Sequence, residues 1–197
     1  MEKVISSSDR VVFIHSEDED IIKLRKKFIR KGDVHSHYEW RNVECAMSFT
    51  RRVVKIAERY NKKIHVLHVT TKDEVDFLAM HKKNVTFETT LQHLTLYALD
   101  CYDKLGIYVQ MNLFLRGKEY YDCLWVVIKN NIVDVLGSDH VLYLKANKDK
   151  EYLDSPSGML GVQIIFPVMI DHVNNGKLTL NQLINLMCEN PCRIFGI

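Results

Sequence analysis

A chain of 197 residues with 47% hydrophobic and 26% charged side chains has the make-up of one globular domain with a sizeable core. Its net charge is +2 with histidines neutral, and its lysines and arginines are scattered, which argues against a nucleic-acid-binding module. No apolar run approaches the ~20 residues needed to span a bilayer, and the opening MEKVISSSDR carries no apolar signal core, so no membrane association and a cytoplasmic location are expected.

Val11 to Ile14 is a short β-rich run, followed by a charged segment, Asp18 to Arg30, with apolar residues at helical spacing. Val43 to Tyr60 reads as a helix with Ala46, Phe49, Val53, Ile56 and Ala57 on one face. Ile64 to Val69 predicts the next strand, and Thr71 is positioned to cap a helix from Lys72 to Lys82. Val85 to Thr89 predicts a third strand, and Tyr108 to Met111 a short extended piece. Glu119 to Lys129 reads as a helix and Val133 to Leu136 as a fourth strand. Gly158 to Val173 is expected to be helical despite Pro167. Leu180 to Cys188 reads as the closing helix, with Thr179 as N-cap and Asn190-Pro191 as its stop. The five cysteines, 45, 101, 123, 188 and 192, form no CxxC, so they are read as reduced packing residues rather than a zinc ribbon or disulfide framework.

Strands alternating with helices predict an α/β fold with a parallel sheet, in a single domain over residues 1–197. In such folds chemistry gathers at the C-terminal ends of strands. His15 ends the first strand, His68 lies near the end of the second, Asn112 closes the short extended segment, and Asp139 follows the fourth strand. Two neutral imidazoles and a carboxylate suit a metal such as zinc. The competing interpretation is that His15 and His68 are satisfied interior histidines and Asp139 a cap or turn residue.

At these positions the sequence resembles the dihydroorotases and related cyclic amidohydrolases. The resemblance is carried by His15-Ser16-Glu17-Asp18, Leu67-His68-Val69-Thr70-Thr71, Thr86 to Leu94, Met111 to Arg116, Leu136-Gly137-Ser138-Asp139-His140, Pro156-Ser157-Gly158 with Gly161, and Asn190 to Gly196. These segments span nearly the whole chain in the family's order. The resemblance implies a partial (β/α)8 TIM-type barrel, approximately strands five to eight with their helices. It implies interconversion of N-carbamoyl-L-aspartate and dihydroorotate in pyrimidine biosynthesis, with one or two zinc ions as cofactor. His15, His68 and Asp139 would be metal ligands, Asp139 also the catalytic acid/base, and Asn112 a substrate-binding residue. Arg116 is expected to be structural. Allantoinase and dihydropyrimidinase share the barrel and the ligands and are the rival activities.

The resemblance also implies parts not found here. The family's first strand carries an HxH metal pair and an arginine, and a later strand a carboxylated lysine or an aspartate. The one HxH of this chain, His35 and His37, follows the His15 strand and is expected in a solvent-exposed loop. Tyr143 stands where the family has a substrate-contacting histidine, Gln92 replaces another histidine, and Leu113 and Phe114 replace two prolines. Four strand–helix units should leave open sheet edges and an uncovered apolar interior. The expected partners are therefore a small-molecule substrate, and a second copy or a complementing N-terminal half. The isolated chain is expected to be inactive. The alternative is a non-catalytic homologue that binds aspartate transcarbamoylase, or a degenerate remnant. His65 is expected to point away from the site, and Lys145 to Glu151 to form a mobile loop over it.

Overall fold

The alternation of β-branched and amphipathic runs produces four short parallel strands, each followed by helices. The computed structural model describes all residues from Met1 to Ile197. Helix α1 (Glu2–Ser7) precedes β1 (Val12–Ile14), which is followed by α2 (Glu19–Arg25), α3 (Ser36–Trp40), α4 (Val43–Arg59) and β2 (Ile64–Val66). Next come α5 (Lys72–Ala79), β3 (Val85–Thr90), α6 (Leu91–Thr95), α7 (Asp100–Leu105), α8 (Lys118–Lys129) and β4 (Val135–Gly137). The last part holds α9 (Lys145–Lys148), α10 (Ile165–Asn174), α11 (Leu180–Ile184) and α12 (Asn190–Phe195). The strands lie in the order β1-β2-β3-β4, every pair parallel. No helix is long and apolar enough to cross a membrane.

Polar side chains at strand ends start the helices. Asp18 accepts from the amides of Asp20 and Ile21 and turns the chain into α2. Asn42 does the same for α4 through Cys45, and Thr71 for α5 through Glu74. Thr179 and Gln182 form a reciprocal capping box at α11.

The two faces of the sheet differ. Ile14, Ile64, Val66, Val85 and Phe87 face the helices and belong to a core of 25 buried residues. On the other face, Phe13, His65 and Thr86 form one cross-strand row, and Glu88 lies beside Val135. This face is therefore more polar than expected, and α12 covers part of it. Its one large apolar side chain, Phe13, meets Phe195 of α12 at 5.1 Å between ring centroids. The sheet ends at β1 on one side and β4 on the other.

Four local expectations are corrected. The supposed extended piece at Tyr108 to Met111 is mostly a 3-10 turn, Gly106–Val109, started by the positive φ of Gly106. Residues 158–164 are not helical, because Gly158 has a φ of +135° and the segment runs against the loop after β4, bridging His140 to Met159. Pro167 then falls in the first turn of α10, where no amide donor is needed. Pro191 does not end the closing helix: a π turn, Asn185–Glu189, leads into α12, which Gly196 terminates in the left-handed conformation. Lys145 to Glu151 is not a free loop, since buried Lys148 donates to the carbonyls of Gln110, Pro156 and Gly158.

Gly161 packs so tightly that an added Cβ would stand 2.2 Å from the Ser138 carbonyl oxygen. Gly161→Ala is expected to cost roughly 1–3 kcal/mol and to displace the adjoining Ser138-Asp139 loop. Urea denaturation measures the cost; an unchanged midpoint would mean that the two segments part freely.

Candidate active site

A parallel sheet brings all strand C-termini to one end. His15 directly follows β1, and His68 and Asp139 each lie two residues beyond β2 and β4. His68 and Asp139 both have left-handed backbones, with φ of 39° and 40°. For residues other than glycine that conformation is costly, and it concentrates at functional sites. At His68 the ladder continues on both sides: the Leu67 amide donates to Ile14 and the Val69 amide to Glu88. The imidazole is thereby turned out of the strand toward its neighbour.

His15 Nδ1 and His68 Nε2 face each other at 2.8 Å, with the rings nearly perpendicular. His15 Nε2 lies 2.9 Å from a carboxylate oxygen of Glu17, which also takes the Arg41 guanidinium. Glu17 therefore favours the proton on His15 Nε2 and leaves Nδ1 with its lone pair directed at His68. Burial, with His15 and His93 adding to it, lowers His68 to about 3, so that ring is neutral near pH 7. Asp139 is half-buried, and burial pushes its carboxyl above the usual range; Glu88 adds to the rise and His15 opposes it. The structure thus brings His15 and His68 together and sets Asp139 within electrostatic reach of His15. No three His, Cys, Asp or Glu side chains by themselves enclose a metal position.

The residues present fit a metal in one specific respect. With the two rings in direct contact and His15 Nδ1 as acceptor, His68 must donate through Nε2. Its buried Nδ1 is then left without any partner. A cation held by both rings would take a lone pair from each of the facing nitrogens, His15 Nδ1 and His68 Nε2, in place of the direct contact between them.

Asn112 lies at some remove, in a second group. Its Oδ1 is 2.9 Å from Nε2 of His37, and the Tyr152 hydroxyl is 3.1 Å from His37 Nδ1. His37 is 1% exposed, which corrects the expectation of a solvent-exposed HxH loop. Helix α3 carries it inward, its ring packed edge-on against Trp40, Phe114 and Tyr152. His35 stays partly exposed beside Asp103. The two histidines thus have separate partners, Tyr152 and Asn112 for one and Asp103 for the other.

His65 is also corrected. It does not point away but lies fully buried under the site, with Nδ1 2.8 Å from Thr86 Oγ1 and Nε2 3.2 Å from Glu88. His93 is occupied structurally by Thr90 and the Leu113 carbonyl. His140 accepts from the amides of Gly161 and Val162 and ties down the loop beside Asp139. Glu17 and Glu88 were given no role from sequence, and His37 none beyond its place in the HxH. Glu88 had a visible signal, the every-second-residue polar row Thr86, Glu88, Thr90 along β3.

No family model matches the chain. A dihydroorotase of Halobacterium salinarum is 30% identical over 192 residues, covering 98% of this chain and 44% of that protein. An L-hydantoinase of Paenarthrobacter aurescens is 28% identical over 203 residues, again 98% of this chain and 44% of that protein. The solved structure of an L-hydantoinase (dihydropyrimidinase) from Arthrobacter aurescens superposes with a TM-score of 0.92 at 27% identity, over 99% of this chain and 45% of that one. The chain spans a little under half the length of the relatives it matches. Its parallel four-stranded α/β fold is similar to that of the TIM-barrel hydantoinases and dihydroorotases. The chain belongs to the amidohydrolase superfamily, in which it corresponds to the C-terminal part of the dihydroorotases and hydantoinases.

Proposed function

We propose that the chain forms strands five to eight of a (β/α)8 barrel and supplies half of the active site of a dihydroorotase-like cyclic amide hydrolase. The observation that carries this reading is the pair of imidazole nitrogens facing each other at 2.8 Å across the ends of adjacent strands. His15, His68 and Asp139 are the residues that would hold zinc, one ion or two. When bound, zinc supplies Lewis acidity, polarising the amide carbonyl and lowering the pKa of water. Glu17 holds the His15 ring in orientation, and the neutral His68 keeps a lone pair available. Asp139 takes the proton from the attacking water and returns it to the ring nitrogen as the C–N bond breaks. Asn112 hydrogen-bonds the substrate.

The family's first-strand HxH pair has no counterpart at a strand end here, so the chain by itself is expected to be inactive and to need a complementing half or a second copy. Metal retention tests the proposal. Chain produced with zinc is expected to retain the ion, and His15→Ala or His68→Ala to weaken its binding roughly 100-fold or more. Elemental analysis and the visible spectrum of a cobalt(II) form read this directly. A chain that never holds a divalent metal, alone or with an added N-terminal dihydroorotase half, refutes the proposal.

The likeness to L-hydantoinase favours a second reading, a hydantoinase, dihydropyrimidinase or allantoinase type of ring opening. Parallel assays on dihydroorotate, 5-substituted hydantoins and allantoin separate these. Tyr143 and the unclosed ligand cage favour a non-catalytic role, such as a partner of aspartate transcarbamoylase, for which co-purification is the test.

A further inference from the structure

Around the second group, a cavity of about 360 Å³ is lined by His37, Arg41, Asn112, Tyr143, Tyr152 and Ser157, among others. The hydrogen bonds around His37 determine what this cavity offers a ligand. Nε2 of His37 faces two oxygens that can only accept: the Met111 carbonyl at 3.2 Å and Asn112 Oδ1 at 2.9 Å. Nε2 must therefore carry the proton. Nδ1 is then a lone pair, and the Tyr152 hydroxyl donates to it at 3.1 Å. With the ring 1% exposed and both nitrogens engaged, neither the tautomer nor the ring orientation is free to change.

Asn112 inherits that constraint. Its Oδ1 is committed to His37, while its Nδ2 has no partner within the chain and is not among the buried orphan atoms. A carboxamide that could flip would offer either an oxygen or an NH2 group to the cavity; this one is held with the NH2 group free. Arg41 adds positive charge on the same wall, partly compensated by Glu17.

We infer that His37 is a positioning residue that locks the Asn112 carboxamide with its NH2 toward the cavity, making it a subsite for a ligand oxygen, the ring carbonyl or carboxylate of a cyclic ureide. The inference rests on the reading of Asn112 as a substrate contact and extends it to the residue that sets its polarity. It gives a purpose to a histidine that no metal role absorbs.

Nitrogen-15 NMR of the full 197-residue chain tests it in two steps. First, His37 is expected to remain the neutral Nε2–H tautomer through the region near pH 6.5 where an ordinary histidine titrates. An Nδ1–H tautomer, or titration in that region, overturns the inference. Second, millimolar dihydroorotate or hydantoin is expected to shift the side-chain NH2 signals of Asn112. His37→Gln, which keeps a donor near the Nε2 position, should preserve the response. His37→Leu should weaken it roughly tenfold. An equal response in His37→Leu, or none in the unsubstituted chain, overturns the inference. If His37→Leu does not fold, the tautomer measurement and His37→Gln still decide. Metal retention by His15 and His68 is read separately, so an unsubstituted chain that binds metal but shows no Asn112 response overturns this inference and leaves the histidine-pair reading standing.

Discussion

Arg116→Leu is expected to lower the unfolding free energy by roughly 3–5 kcal/mol. The guanidinium is 3% exposed, donates through Nε to Thr70 Oγ1 at 3.0 Å and through Nη1 to the Arg41 carbonyl at 3.4 Å, and stacks 4.0 Å above the Phe114 ring. The carboxylates whose charge it feels most are Glu74 and Glu17, both buried. Thr50 and Thr71 hydroxyls donate to Glu74. Leucine restores most of the volume but removes the fully buried cation nearest Glu74, leaving Arg41 to serve Glu17 alone. Guanidinium denaturation checks the prediction, and Glu74→Gln in the Arg116→Leu background should recover part of the loss. A cost below about 1 kcal/mol would mean that Glu74, whose carboxyl burial pushes upward, is held protonated and needs no counter-charge.

The second large effect is acid sensitivity. Burial lowers His37 and His93 to about 4 each. The unfolded chain protonates these rings near pH 6.5, the folded chain only near 4, so acid draws the equilibrium toward unfolding. Stability is level above about pH 7 and falls as pH drops through the interval between the two values. By pH 5 the two rings together should remove roughly 3–4 kcal/mol. Thermal melts across this interval read the slope. His93→Gln should flatten it by about a third, because His68, which burial lowers to about 3, resists protonation over the same interval; an unaltered slope would move the cause to the other groups.

Much of the architecture was legible because two periodicities are written plainly in the chain. Helix α4, Val43–Arg59, matches the expected Val43 to Tyr60 to within a residue, and Thr71 and Thr179 cap the helices they were expected to cap. The strand-end histidines, His15 and His68, could be read as neighbours because a parallel sheet forces them to one end. The misreadings share a different cause: tertiary contact overrode local pattern. Residues 158–164 have helical composition, yet Gly161 lies against the Ser138 carbonyl and the chain takes another path. Pro191 signals a stop, yet a π turn carries the helix past it. The polar segment around His35 and His37 looked solvated, and only the packing of α3 against Phe114 and Tyr152 buries one histidine and not the other. Glu17 sat two residues from a candidate ligand; its service to His15 depends on Arg41, which reaches it from the start of α4.

The hydrogen bonds of His65 to Thr86 and Glu88 have a consequence for what could pack on this face of the sheet. Because those groups already satisfy one another, little greasy surface waits to be covered on that side. Whatever completes the ring would be gripped chiefly by main-chain pairing along β1 and β4, so docking should show only a modest heat-capacity change.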